Sequence, residues 1–482
     1  MLSLASLLEE GILPSLGGDV WSQGGISIFG ILVYWLDCDF VLHERLLAAL
    51  PFSSVRHTAD ELENATKRAC AEFGIGKFMG PAVDVTPIDT VSEFIHAACS
   101  DNANNIVSGW RCFDGHECSD HTLALVVKVF LEHPTVKAVF SKLRGMTAHF
   151  NHSVIGANLL KECQRRHGLS ETKPPQDNDT RSGWGGACKQ ASWYIVNQLA
   201  IQMYDVENPS KAPTAVANPD GSVYKTHQLA ADEWNIVRES MYLLAYAKTA
   251  VDILQATKKV TPNLIMPVVG RLAYTFHTET SLKYERHCVG IYNEAVKEAR
   301  ELAYTDLCRR FFNDLLDCKL EDFAVATLLD PRHKSFKFKY VEKWMRGKFT
   351  KKQAETWASH IYAADWKPKS TARGVNAAGQ RRVATKVVSE ATFLASDSDS
   401  DEDDPEEGPP AQLEHDELRE YLDLPDAKKD ADVQDWWRIH TQRGSLLLQG
   451  WRDSFWRCLL LLRVLRELVL LAQACTLTFV RD

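Results

Sequence analysis

Apolar positions follow two different rhythms along this chain, and the change from one to the other divides it. Gly25–Phe40 (GISIFGILVYWLDCDF) is dense in β-branched and aromatic residues, and Val41–Leu50 continues in that style after Asp37 and Asp39, which suit a turn. Together they predict two or three antiparallel strands, mostly buried. His57–Ile75 (HTADELENATKRACAEFGI) then predicts a helix, with Thr58 as its cap, Glu61 three residues on and Gly74 as its stop. Glu93–Cys99 is short and apolar enough for a buried strand leading into Ser100 and Asp101.

From His121 onward the period lengthens to that of helices, with Pro134 separating two of them and the polar stretch Glu171–Thr180 acting as a connector. Gly185 to about Trp357 reads as almost wholly helical, for example in KQASWYIVNQLAIQMYD and DEWNIVRESMYLLAYAKTAVDILQAT. Strands, helix, strand and then helices predict an α/β core with a mixed sheet, followed by a helical region. Residues 366–412 carry no periodicity; they begin basic and end acidic, and disorder is expected there. Order is expected to resume at Glu414 and to include Asp435, Trp436 and Trp437. No internal repeat is found.

Composition changes this picture little. The apolar and charged fractions, 45% and 25%, are those of a globular protein of 482 residues. The net charge of −9 argues against a general nucleic-acid binder. However, the acidic residues between Asp397 and Glu407 carry nearly all of it, so basic patches elsewhere remain open. The 12 cysteines lack disulfide-like spacing. No secretory signal is expected at the start, because Glu9 and Glu10 interrupt its apolar character. The apolar tail Leu459–Val480 is broken by Arg463, Arg466 and Glu467 and falls short of the ~18 apolar residues a membrane span needs. A nuclear or cytoplasmic protein without a membrane partner is expected.

Three groups of residues could carry chemistry. Asp19 and Asp101 stand at the expected ends of two strands that could be neighbours. A carboxylate pair there would share Mg2+ or Mn2+, bound weakly and positioned for phosphodiester displacement; alternatively each aspartate caps a turn. Cys112, His116, Cys118 and His121 fall within ten residues. A closed zinc site is one reading, and a packed Cys118–His121 pair beside the carboxylates, without zinc, is the favoured one. The run His333–Lys352 interleaves Lys334, Lys337, Lys339, Lys343 and Arg346 with aromatics including Trp344. It reads equally as a DNA contact and as an amphipathic helix with its lysines in solvent.

Six short motifs then occur in one order: Asp19-Val20-Trp21; Ser100-Asp101-Asn102-Ala103-Asn104-Asn105; Cys118 and His121 followed by Thr122-Leu123; Asp179-Thr180-Arg181; Leu329-Asp330-Pro331-Arg332; and Asp435-Trp436-Trp437. In this the chain resembles the hAT-type transposases. The resemblance implies a ribonuclease H-like core interrupted by a large all-helical insertion. It also implies Mg2+-dependent DNA excision by two aspartates and a glutamate through a hairpin intermediate. Asp19 and Asp101 would be the aspartates, with Cys118 and His121 packed beside them. Arg181 and Trp184 would serve the motif that holds a displaced base. The implied division is a remnant at 1–18, the core at 19–184, the insertion at 185–365, a disordered linker at 366–412, the start of a C-terminal segment at 413–443 and an aberrant tail at 444–482.

Three departures follow. Ser182 and Gly183 separate Arg181 from Trp184, which the family joins directly. The family's zinc finger would lie upstream of Asp19, where the sequence has 18 residues. The family's Glu-Arg segment, with its dimerisation surface, is not found beyond Arg443. Codons compatible with Leu448–Leu468, read in a frame shifted by two bases, can encode that segment, with Glu-Arg spanning Leu465, Arg466 and Glu467. The leucine-rich tail is therefore expected to be a frameshifted or mis-spliced reading. The expected protein is a transposase derivative, inactive in cleavage, binding DNA and able to form homo-oligomers only without that surface. Its rivals are a non-enzymatic DNA- or protein-binding factor and a nuclease recruiting Glu467 or Asp453.

Overall fold

The computed structural model describes residues 14–23, 26–36, 41–52, 58–73, 75, 95, 98–100, 104–113, 115–176, 184–208, 216–217, 223–224, 229–255, 261–277, 282–284, 287–313, 317–338, 350–365 and 417–442. They form a mixed α/β protein, mostly helical, in two units. Unit 1 comprises 1–121, 253–271 and 315–482; unit 2 comprises 122–252 and 272–314.

Unit 1 contains the sheet. β1 (Ser15–Gln23) pairs antiparallel with β2 (Ile26–Leu36) along its whole length, and β2 pairs antiparallel with β3 (Leu42–Phe52), with one register shift at Ile31/Leu32. Two short strands follow in parallel, β4 (Ala98–Ser100) beside β1 and β5 (Gly115–Glu117) beside β4, giving the order β3-β2-β1-β4-β5. The segment Gly25–Leu50, expected to hold two or three antiparallel strands, thus holds two, β2 and β3, and β1 precedes it.

Helix α1 (Ala59–Glu72) covers the sheet, and its start is the expected capping box. The Glu61 N–H donates to Thr58 Oγ1 at 3.3 Å, and the Thr58 N–H to Glu61 Oε2 at 3.2 Å. Its Leu62, Ala65, Ala69 and Cys70 join Leu16, Phe29, Ile31 and Val33 in one core with Trp110 and Phe113. Two glycines permit this packing. A Cβ on Gly18 would lie 2.4 Å from the Trp110 ring, and one on Gly109 would lie 2.5 Å from the Ala59 carbonyl oxygen. The fully buried Trp110 directs its indole N–H to Thr66 Oγ1 at 2.9 Å, so no donor is stranded. Gly109 ends α2 (Asn104–Gly109), which packs on α1.

Helix α3 (Ser119–Glu132) carries the chain into unit 2. Pro134 then opens α4 (Pro134–His152), followed by α5 (Val154–Arg166), α6 (Gly185–Val196), α7 (Gln198–Glu207), α8 (Ala231–Leu254), α9 (Pro262–Phe276) and α10 (Glu294–Cys308). The boundary expected at 184/185 falls inside unit 2, because α6 and α7 pack on α4 and α5. Tyr194 Oη meets Thr147 Oγ1 at 3.1 Å, Tyr204 Oη meets His149 Nε2 at 2.9 Å, and the Gln164 amide donates to Asn197 Oδ1 at 2.8 Å. The expectation of an all-helical stretch over 185–365 is also corrected. Val216–Ala217 pairs with Val223–Tyr224, and Leu282–Tyr284 with His287–Val289, as antiparallel ribbons. Runs of two or three residues are too short for a helical period to exclude.

The remaining pieces of unit 1 interlock. Pro267 sits inside α9 and has no N–H for the carbonyl of Asn263, four residues back. The Thr327 hydroxyl on α11 (Asp317–Leu328) lies 3.3 Å from that carbonyl oxygen and 2.8 Å from the Phe323 carbonyl oxygen. The kink-prone position thus has its replacement donor on a neighbouring helix. α12 (Lys351–Asp365) packs on α11. A pair of short helices, α13 (Glu417–Asp423) and α14 (Val433–Gln442), completes the described chain. The expected linker at 366–412, and the tail at 444–482 with Asp453 and Glu467, lie outside the described residues. None of the described helices is long and apolar enough to cross a membrane.

Candidate functional site

Asp19 is not at a strand end. It lies mid-way along β1, opposite Gly30 in the antiparallel ladder that runs on to Gln23. What ends beside it is the parallel ladder: Leu16 pairs with Ala98, Gly17 with Cys99 and Gly18 with Ser100. The two strands expected to be neighbours are neighbours. Asp19 and Asp101 each follow the last registered pair by one residue; Asp101 lies outside the described residues.

Side chains alternate across a strand, so Leu16, Gly18 and Val20 share one face and Gly17, Asp19 and Trp21 the other. Leu16 and Val20 pack into the core beneath Trp110. Asp19 is therefore directed to the opposite face and is half-buried there. Cys99, level with Gly17, shares that face. Glu117 ends β5 opposite Ser100 and is exposed. These positions gather where the parallel ladder ends, at the carboxyl ends of β4 and β5 but mid-way along β1; open α/β sheets present their ligand crevices at carboxyl strand ends.

Cys118 is buried immediately after β5. Its N–H donates to the Ser100 carbonyl at 2.9 Å, which extends the link between β4 and β5. Its thiol donates to the Asp120 carboxylate and lies against the Cys99 thiol. The other Asp120 oxygen accepts from the Gln255 amide at 2.7 Å. Burial, then the Cys99 contact and the Asp120 charge, push the Cys118 thiol well up. In this environment it is a hydrogen-bond donor at neutral pH.

Cys112 belongs to a different neighbourhood. It is exposed, and burial of its sulfur followed by the charge of Glu63 pushes its thiol up to about 11. His121 is the third residue of α3 and half-buried, and the His116 side chain lies outside the described residues. Cys99 and Asp120 are both partners of Cys118. Among the described residues, no three His, Cys, Asp or Glu side chains are arranged to hold a metal ion. Asp19 offers hard oxygen donors of the type Mg2+ or Mn2+ takes.

The expected nucleic-acid contacts are redistributed. Lys334 is only 3% exposed. Its ammonium donates to the carbonyls of Tyr421 at 2.6 Å and Leu422 at 2.9 Å, and to that of Leu424. It caps the C-terminus of α13 and is not available to a phosphate. Residues 331–335 form turns, Phe336 takes the left-handed conformation at φ 53°, and 337–338 carry no regular structure, so this start of the basic run is not helical. Lys337 is exposed; Lys339, Lys343, Trp344, Arg346 and Arg181 lie outside the described residues. Trp184 is 3% exposed at the N-cap of α6, so its ring is buried rather than free to stack on a base.

The turn Leu329–Arg332 is a densely bonded group among the described residues of unit 1. Asp330 is fully buried and accepts from Asn263 Nδ2 at 2.6 Å and from the Arg332 backbone N–H, Nε and Nη2 at 2.9, 3.0 and 2.8 Å. Burial opposes its ionisation, but the charges of Arg332 and His333 and the Arg332 hydrogen bonds outweigh burial and hold its carboxyl below the usual range. Around it, Ala427 N–H donates to Pro331 O at 2.7 Å, Tyr421 Oη to Leu328 O at 3.0 Å and Trp437 Nε1 to Leu329 O at 3.2 Å. The Leu-Asp-Pro-Arg and Asp-Trp-Trp motifs, about a hundred residues apart, are one structure. Their order in the sequence hints at this; the roles of Asn263, Thr327, Tyr421 and Gln255 have no sequence signal. No protein-family model matches the chain, and no curated protein matches it.

Proposed function

We propose that this chain derives from a hAT-type transposase, that its sheet is ribonuclease H-like, and that it binds DNA and a divalent cation without cleaving DNA. The observation that carries this reading is the parallel pairing of β1 with β4 up to Gly18 and Ser100. That register brings Gly18 and Ser100, the residues that precede Asp19 and Asp101 in sequence, level on adjacent strands. The order β3-β2-β1-β4-β5, three antiparallel strands followed by two parallel ones, supports the same fold.

In this reading Asp19 and Asp101 hold Mg2+ or Mn2+ through their carboxylates, and the ion supplies charge neutralisation at a phosphodiester. The Cys118–Asp120–Gln255 chain fixes the start of α3 beside them. Asp120 has both oxygens engaged and does not serve as a third ligand. Two carboxylates hold one ion weakly and do not organise two for in-line displacement. A nuclear location and self-association belong to the same reading.

The test uses the full chain and Mn2+ titration followed by electron paramagnetic resonance, with plasmid nicking and duplex binding in parallel. Asp19→Asn or Asp101→Asn is expected to weaken Mn2+ binding by about tenfold through loss of a ligand charge. Duplex binding, unchanged in these variants, is expected to weaken as salt rises. Equal Mn2+ binding in all three proteins would overturn the metal assignment. Mg2+-dependent nicking that disappears in Asp101→Asn would overturn the inactive reading.

A further inference from the structure

Ser335 lies at the edge of the interlocked turn, partly exposed, and its hydroxyl donates to Asp426 Oδ2 at 2.5 Å. Asp426 belongs to the connection between α13 and α14, so this bond ties the turn to the helix pair 417–442. Beneath it, Lys334 caps α13 with its three carbonyl bonds. Three residues before Ser335 stands Arg332, and His333 and Lys334 lie between them, so the local sequence is Arg-His-Lys-Ser. Basic side chains at such offsets are what a protein kinase with an acidic substrate groove recognises.

We propose that Ser335 is a phosphorylation site, and that its modification releases the helix pair 417–442 from the turn 329–336. The step transfers the γ-phosphoryl group of a nucleoside triphosphate to Ser335 Oγ. The O–P bond to the nucleotide breaks as the new one forms, the hydroxyl proton passes to the kinase base, and the nucleoside diphosphate leaves.

The consequence follows from the surroundings. A phosphoserine carries about −1.5 to −2 charges at neutral pH. Placed on Ser335 it would face the Asp426 carboxylate that now accepts the hydroxyl proton, with Asp423 close enough to act on Lys334. Only two local resolutions exist. The phosphate and carboxylate repel and the connection moves away, or Lys334 turns to the phosphate and abandons the carbonyls that end α13. Each removes a bond set that holds the helix pair.

The geometry also sets the order of events. Arg332 is engaged by Asp330 and by the Ala431 carbonyl at 3.4 Å, and Lys334 is buried. A kinase groove cannot read either side chain while the pair is docked. Modification therefore captures the open form and holds it open, a population shift rather than a forced opening.

The experiment treats the full chain with ATP and a serine/threonine kinase selective for basic sequences, and locates phosphate by peptide mass spectrometry. Phosphate is expected on Ser335, and several-fold faster in Lys334→Met, which lacks the cap on α13. Absence of phosphate from Ser335 in both proteins would overturn the proposal. Hydrogen exchange over 417–442 provides the second arm. Ser335→Asp is expected to accelerate exchange there by about tenfold, Ser335→Ala by no more than two- to threefold, and Ser335→Asp with Asp426→Asn by an intermediate amount. Equal protection in Ser335→Asp and Ser335→Ala would overturn the release.

Discussion

Asp330→Ala is the sharpest perturbation of unit 1. The substitution deletes the acceptor of four hydrogen bonds, three from Arg332 and one from Asn263. The Arg332 side chain is 7% exposed and would lose its carboxylate partner while keeping the 3.4 Å contact with the Ala431 carbonyl. Breaking a buried ion pair by removing one partner costs about 3–5 kcal/mol. Asp330→Asn keeps the shape but turns an amide toward the Asn263 and Arg332 donors; about 1–3 kcal/mol is expected. Asp330→Ala with Arg332→Met removes the stranded charge and should recover much of the loss, a coupling of about 1–3 kcal/mol. Because the chain has two units, the readout must be local: urea dependence of hydrogen exchange across 327–334 and 417–442. A cost below ~1 kcal/mol for Asp330→Ala, or strictly additive losses in the double variant, would refute the network as the anchor of α13 and α14. The pH dependence has a definite sign. The folded carboxyl titrates below its ordinary value, so its stabilisation is complete above pH ~4 and is lost as pH falls through the folded value. Asp330→Asn should abolish that acid-dependent part.

Two further tests address other links. Thr327→Val removes the hydroxyl near the Asn263 carbonyl and should cost about 1 kcal/mol; in a Pro267→Ala background the new N–H at 267 supplies the missing donor, so the cost should fall by about half. An unchanged cost in that background, read from exchange in α11, would show that Thr327 does not compensate the proline. In unit 2, burial pushes the Asp205 carboxyl up to about 7. Its folded value exceeds its unfolded value, so the group costs stability progressively as pH rises from about 4 to about 7. It is partly exposed, and after screening Asp205→Asn should stabilise unit 2 by about 1–2 kcal/mol at pH 8 and flatten the profile between. Parallel profiles for Asp205→Asn and wild type, measured by denaturation across pH 5–8, would contradict this.

Local rules read this chain well where the deciding contacts are local. The capping box at Thr58 and Glu61 and the helix break at Pro134 were legible because each depends on residues within one turn. Strand β2 was legible because its burial leaves a continuous apolar run, whereas β3, expected to be mostly buried, is largely exposed or half-buried. Sites made from distant pieces were not legible in the same way. The spacing of Asp19 and Asp101 allows two neighbouring strands without requiring them, and the register shows that β1 and β4 are neighbours. The basic run beginning at His333 shows the reverse. Its composition suits a DNA contact or an amphipathic helix equally, yet Lys334 is neither. A lysine is drawn into the interior when it meets a cluster of carbonyls at a helix end, and the helix concerned begins more than eighty residues later. Trp184 makes the same point in unit 2, where a ring expected beside DNA is buried. Long-range partners, rather than residue type, decide whether a cation or an aromatic ring is offered to a ligand. The candidate DNA contacts are accordingly those that the fold has not already used, and among the described lysines of the run His333–Lys352 the exposed ones are Lys337 and Lys352.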